Sequence, residues 1–101
     1  MYTIKNSNIH GKGVFSSRKI PKNKHIGIAI RMILLGNFPQ ITNGFGNMIN
    51  HSYKPNCRVY YKKTDGNYWI IANKNIPKDT ELTVDYKYAP WFIAGPGGDY
   101  I

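Results

Sequence analysis

Apolar and polar residues alternate along most of this chain, and Gly, Pro, Asn and Asp punctuate the alternation, so strands and tight turns are predicted throughout. Tyr2 to Lys5 forms a first strand and His10-Gly11-Lys12-Gly13 a turn. Val14 to Ile20 forms a second strand, closed by Pro21-Lys22-Asn23. Between His25 and Leu35 the alternation puts Ile26, Ile28, Ile30 and Met32 on one face, and Gly27, Ala29, Arg31 and Ile33 on the other. Gly36 to Gly46, with Asn37, Pro39 and Asn43, reads as loop. Arg58–Thr64 and Tyr68–Lys74 flank Asp65-Gly66-Asn67, a hairpin signal. Thr80 to Tyr86 is the last strand, with Leu82 and Val84 facing one side and Thr83 and Asp85 the other. The segment 89–101, with Pro90, Pro96 and glycines, is expected to be an irregular tail. No stretch carries a helical period beyond a short turn near Gly46 to Asn50.

One hexapeptide recurs. Arg18-Lys19-Ile20-Pro21-Lys22-Asn23 and Lys74-Asn75-Ile76-Pro77-Lys78-Asp79 share the order basic, polar, Ile-Pro-Lys, turn former. Each stands between two strands, and proline suits a turn where no ladder N–H is needed. They are either two ordinary tight turns or a duplicated strand–turn–strand unit packed about a pseudo-dyad.

Composition narrows the class. A chain of 101 residues, 42% hydrophobic and 14% aromatic, is a single folded domain, mostly β given its eight tyrosines and ten glycines. Its one cysteine, Cys57, excludes a disulfide framework and a multi-cysteine zinc cluster, and fits a reducing compartment. The polar N-terminus lacks a signal-peptide core. The longest apolar stretch, Ile26 to Leu35, holds Arg31 and is too short to span a bilayer, so a soluble intracellular protein is expected. The net charge of +9 suits polyanionic partners such as nucleic acid, chromatin or an acidic protein surface. Equally, scattered lysines serve solubility.

Three segments carry candidate chemistry. In Gly11-Lys12-Gly13-Val14-Phe15, two glycines let backbone groups approach a ligand with no Cβ in the way. Asn50-His51-Ser52 sets a carboxamide, an imidazole and a hydroxyl side by side, with Pro55-Asn56 three residues on. No second histidine or carboxylate stands at zinc spacing from His51. In Glu81-Leu82-Thr83-Val84-Asp85-Tyr86 a strand ends in a phenol. Taken singly, these are a turn, a hydrogen-bonded structural histidine and an amphipathic edge strand.

In this order, and over about residues 9 to 92, the three segments resemble the SET-domain lysine methyltransferases, Asn-His-Ser-x-x-Pro-Asn being the most specific element. The resemblance implies a SET-domain β-clip of short curved sheets with a C-terminal pseudoknot, one domain over 1-101. It implies S-adenosylmethionine as cofactor and a protein lysine, on a histone tail or elsewhere, as substrate. By position, Gly11, Lys12 and Gly13 would hold the methionine end of the cofactor through the backbone. Asn50 would bind its amino or carboxylate group, and the His51 backbone would meet the adenine. Tyr86 would be the catalytic phenol. A nuclear or cytoplasmic location follows, or the host nucleus for a viral protein.

The sequence also departs from the family. Tyr53 stands where many members place a zinc-binding cysteine, and no cysteine follows Cys57, so no zinc is expected. Trp91 and Phe92 are the expected lid over the adenine, or else anchors of the tail. Asn47 replaces a basic residue that pairs with the cofactor carboxylate, a charge that Lys12 or Arg18 would supply. Val84, two residues before Tyr86, leaves room for more than one methyl group. Between Gly27 and Gly44 the family's longer substrate-binding insert is short and lacks a tyrosine, so Tyr60 or Tyr61 is expected to serve the substrate channel. Two other readings are a degenerate SET fold that only binds, and a small basic β module that binds nucleic acid through lysines and stacked tyrosines. The sequence does not specify an oligomeric state.

Overall fold

The computed structural model describes residues 1–33, Gly36 and 38–88. These residues form eight strands, β1 (Tyr2–Asn6), β2 (Lys12–Ser16), β3 (His25–Ile33), β4 (Phe38–Ile41), β5 (Asn50–His51), β6 (Cys57–Lys62), β7 (Asn67–Ala72) and β8 (Thr83–Val84). Single 3₁₀ turns occur at Gly46–Met48 and Tyr86–Tyr88. The strands make three small sheets: β1-β2, β4-β3-β7-β6, and the pair β5-β8. The expected β architecture is therefore present, with almost no helix.

The recurrent hexapeptides organise the centre. Ile20 N–H donates to the Ile76 carbonyl at 2.9 Å, and Ile76 N–H returns to Ile20 at 2.8 Å. Asn23 N–H bonds Ala72 O while Asp79 N–H bonds Ser16 O, both at 2.8 Å. Ala72 N–H bonds Lys24 O as Ser16 N–H bonds Thr80 O. Each bond of these three pairs has its counterpart at the same sequence offset. Asn23 and Asp79 also share the left-handed conformation, with φ of 69° and 63°. Of the two readings of the repeat, the duplicated unit is the one formed. Ile20 and Ile76, at 1% and 2% exposure, seal the dyad into the core with Val14, Ile70 and Leu82.

Four expectations need correction. Strand β2 begins at Lys12, inside the predicted turn, and stops at Ser16; Ile20 belongs only to the bridge with Ile76. Strict alternation fails in β3, where Ala29 and Ile30 are both buried, because the pairing with β7 shifts between His25 and Gly27 and again between Ile28 and Ile30. A bulge turns adjacent side chains inward and frees backbone groups. Thr42 takes up two of them: its hydroxyl donates to Ile28 O at 2.7 Å, and its N–H to Ala29 O at 2.9 Å. The predicted loop from 36 to 46 contains strand β4, tolerating Pro39 because β4 is an edge strand. Finally, the strand expected over Thr80 to Tyr86 is regular only at Thr83–Val84. Leu82, Thr83 and Val84 are all buried, so this is no amphipathic edge, and Tyr86 begins a 3₁₀ turn.

The hairpin around Asp65-Gly66 forms as expected, with Gly66 at φ 73° and its N–H bonded to Lys62 O at 2.8 Å. Strand β6 starts at Cys57, which is 1% exposed, and burial pushes its thiol up from 9.0 to about 12. At pH 8 such a group is almost wholly the unreactive thiol, whereas a solvated cysteine is partly thiolate. Cys57 should therefore fail to react with a disulfide reagent in the folded protein at pH 8 and react fully in denaturant. Rapid reaction of the native protein would show that β6 opens at this end.

Candidate active site

Gly11, Lys12, Gly13, Asn50, His51, Val84 and Tyr86 sit on three segments brought together by β5 and β8. The 3₁₀ turn Gly46–Met48 leads into β5, and its approach is held by close packing. A Cβ on Gly46 would collide with Ala29 O at the β3 bulge, and one on Gly27 would sit 3.0 Å from the Phe45 ring. Strand β5 then runs parallel to β8, Asn50 beside Thr83 and His51 beside Val84. Here lies the crossing of the C-terminal segment past Asn50-His51-Ser52.

Asn50 is buried, and its Nδ2 faces acceptors: His10 O, Lys12 O and Ser7 Oγ, each at 3.1 Å, and Glu81 Oε2 at 2.8 Å. Carbonyls and a carboxylate only accept, so the amide orientation is forced and Oδ1 points away from this cluster. Ser7 Oγ in turn donates to the Glu81 carboxylate at 2.8 and 2.9 Å and accepts from Ile9 N–H at 2.9 Å. Asn50 thus ties the Gly11 turn to β8 through Glu81. Gly11 has φ 46°, and nothing lies within 4 Å of the place a Cβ would occupy, so the turn opens outward. Gly13 is the opposite case: a Cβ there would run into the Glu81 carboxylate.

Tyr86 is anchored at both ends. Its backbone N–H donates to His51 Nδ1 at 3.0 Å, and its hydroxyl donates to Ile49 O at 2.6 Å. A ring nitrogen that accepts carries no proton, so His51 is the Nε2–H tautomer. The 3.8 Å approach of Asp85 Oδ1 to the same Nδ1 is therefore not an ion pair. Asp85 Oδ1 instead accepts Lys87 N–H at 2.9 Å and starts the 3₁₀ turn. The His51 ring packs edge-on against Tyr53 at 4.4 Å and lies 5.2 Å from Tyr86.

Val84, 4% exposed, lies in β8 beside His51. Tyr60 is not brought to this cluster. It is paired with Trp69 across β6 and β7 and stacks edge-on with His25 at 6.0 Å, on the strand face opposite Cys57 and Val59. Tyr61 contacts Tyr68 near the far hairpin. Asn47 is engaged locally, accepting Gly44 N–H at 2.8 Å and donating to Asn43 at 3.1 Å. Of the two substitute cations, Lys12 follows the Gly11 turn, whereas Arg18 lines a shallow pocket with Met1 and Lys24. Trp91 and Phe92 lie outside the described residues. Among the described residues no group of three His, Cys, Asp or Glu is placed to hold a metal ion.

Three residues take roles that motif reading did not give them. Ser7 and Glu81 complete the Asn50 network. Asn56 clamps the strand before Tyr86, its Nδ2 donating to Glu81 O at 2.8 Å and its Oδ1 accepting Thr83 N–H at 2.9 Å. The signal for Asn56 was present in Pro55-Asn56; nothing local marks Ser7.

Comparison with known proteins identifies the family. The SET domain family matches residues 35–87, which include β5, β8 and the Tyr86 turn. This chain belongs to the SET-domain family. Among its relatives, the human histone-lysine N-methyltransferase 2B is 30% identical over 111 residues, covering 81% of this SET domain. The H3 lysine-4 specific histone-lysine N-methyltransferase of Emericella nidulans is 45% identical over 47 residues, 45% of this chain. The chain spans 4% of the length of each of these two proteins. A solved structure of a Plasmodium falciparum protein named as a histone methyltransferase superposes with a TM-score of 0.69. It is 28% identical and covers 89% of this chain and 100% of its own. No described helix of this SET domain is long and apolar enough to cross a membrane.

The contact of Gly13 with Glu81 gives a direct test of the network. Gly13→Ala should cost about 1–3 kcal/mol in urea unfolding by displacing the carboxylate. In a Glu81→Ala background the same substitution should cost much less, because the methyl then has room. Equal costs in both backgrounds would mean that the two residues are not in contact.

Proposed function

We infer that this SET domain is an S-adenosylmethionine-dependent protein-lysine N-methyltransferase, with the cofactor bound between the Gly11 turn and Asn50. The observation that carries this reading is the forced orientation of Asn50. With Nδ2 committed to His10 O, Lys12 O and Glu81, the side chain can offer only its oxygen to a ligand. That favours the α-ammonium of the cofactor over its carboxylate as the group at Asn50. The open side of Gly11 and the exposed Lys12 beside it suit the remaining methionine atoms, Lys12 supplying the positive charge that Asn47 lacks. These residues fit the group. When bound, the cofactor supplies an electrophilic methyl on sulfonium.

Tyr86 then orients the nucleophile. Its proton is committed to Ile49 O, so toward a substrate the phenol oxygen is an acceptor. Accepting an N–H from the neutral lysine amine fixes the direction of the amine lone pair. In-line displacement needs such alignment more than acid–base help. His51 contributes position: its Nδ1 holds the Tyr86 backbone, so the phenol is fixed from both sides. A buried Val84 two residues before Tyr86 is compact enough to leave the amine room for successive methylations. Relatives named for histone lysine methylation support a lysine-bearing protein, a histone tail foremost, as substrate.

Two substitutions test the scheme. Asn50→Ala should weaken S-adenosylmethionine binding by about 1–3 kcal/mol in calorimetry run well below the unfolding midpoint of the variant. Unchanged affinity would remove Asn50 from the cofactor site. Tyr86→Phe should keep the fold at a cost of about 1 kcal/mol, the lost bond to Ile49 O. Its radiolabelled methyl transfer to core histones should fall roughly 10²-fold or more, with cofactor affinity unchanged. A variant as fast as the parent would reduce Tyr86 to a packing residue.

A further inference from the structure

The pseudo-dyad leaves a groove on the surface. Pro21 and Pro77 with Lys19 and Asn75 border it, over the buried Ile20 and Ile76, one set from each hexapeptide, around an open space of about 460 Å³. The two prolines bring no N–H, and Lys22 N–H is taken by Asn75 Oδ1 at 2.9 Å, so the slot offers chiefly carbon. Around it the charge is one-sided. Arg18, Lys19, Lys22, Lys24, Lys74 and Lys78 are all exposed on the two hexapeptides and the residue after the first. Among the described residues none of the six lies within ion-pair distance of a carboxylate. Asp79, the acid of this region, is engaged by Lys5 at 3.5 Å. None of these residues belongs to the Gly11–Asn50–Tyr86 cluster.

An apolar slot lined by Lys19, on segments that carry five further unneutralised cations, matches an anionic ligand that also has an apolar group to bury. Nucleic acid meets the charge but not the slot, since phosphates need no apolar floor and no aromatic ring lines it for base stacking. We propose that the Ile20–Ile76 groove is a docking site for an acidic peptide segment carrying one large apolar anchor. The anchor sits between Pro21 and Pro77, and flanking Glu or Asp side chains pair with Lys19 and with the exposed lysines next to the slot on both hexapeptides. This surface is separate from the site assigned to methyl transfer, and its occupant guides a partner protein to the enzyme without entering the chemistry.

The test uses fluorescence anisotropy with the whole chain and three labelled probes: an alternating Glu/Asp peptide with a central Leu, the same peptide with Ser for Leu, and an oligothymidine. The Leu peptide should bind, and replacing Leu by Ser should weaken it about tenfold or more. Lys19→Glu with Lys78→Glu should weaken the Leu peptide by a further order of magnitude, roughly, while thermal unfolding shows both proteins folded. Arg31→Glu with Lys63→Glu, an equal change of net charge placed elsewhere, should leave binding within about twofold of the parent. The proposal fails if the Leu and Ser peptides bind alike or if the two double variants lose affinity equally. It fails too if oligothymidine binds tighter than the Leu peptide with the same dependence on Lys19 and Lys78, which would make this a phosphate-binding face.

Discussion

Thr83–Val84 is a two-residue strand buried on both sides, and almost every feature of the site depends on satisfying its backbone. A buried peptide group without a partner costs roughly 1–3 kcal/mol, and this segment has no wide sheet to pair with. Its partners come from three directions. Strand β5 pairs along it, Asn56 holds its first N–H and the Glu81 carbonyl, and Ser52 N–H takes Val84 O at 3.0 Å. The residues of the Asn-His-Ser-x-x-Pro-Asn segment are therefore structural first. Ser52 and Asn56 secure the backbone, and the same arrangement delivers Asn50 to the Gly11 turn and His51 to Tyr86.

A second constraint is the dyad. Two Ile-Pro turns exchanging identical hydrogen bonds lock β2 to the segment before β8, so that Leu82 N–H reaches Val14 O at 2.7 Å. Gly13 and Glu81 are thereby forced into contact. The Ser7–Glu81–Asn50 network is thus a by-product of core packing about Ile20 and Ile76, which explains why this polar cluster is held so tightly.

Much of this was legible in the sequence, for identifiable reasons. Asp65-Gly66 specifies its hairpin because the turn conformation needs a residue comfortable at positive φ. The Ile-Pro-Lys repeat raised the dyad as one of two readings, and the paired hydrogen bonds about Ile20 and Ile76 decide for it. Motif order pointed to the family. What stayed hidden depended on partners remote in sequence. Alternation in β3 could not reveal bulges that are completed by Thr42. Strand β4 was masked by Pro39, which is harmless only at an edge. Tyr60, a plausible channel phenol by residue type, points to the outer face because pairing from Cys57 sets the parity of β6. Ser7 carries no motif, and only the fold places it beside Glu81.

The β5–β8 pair also has a kinetic side. It joins residues 50 and 51 to residues 83 and 84, and nothing local favours it in advance. Loop closure of that length has to be met before any of its contacts form, which places the pair late in folding. The β1–β2 and β6–β7 hairpins, being local, close first. On a ribosome the Asn50 segment therefore emerges well before its partner and waits, the Ile49 carbonyl and the β5 backbone unpaired, until Glu81 to Tyr86 arrives. The parts that hold the site together are the last to be secured, so during synthesis this is the stretch most exposed to misassociation and to chaperones.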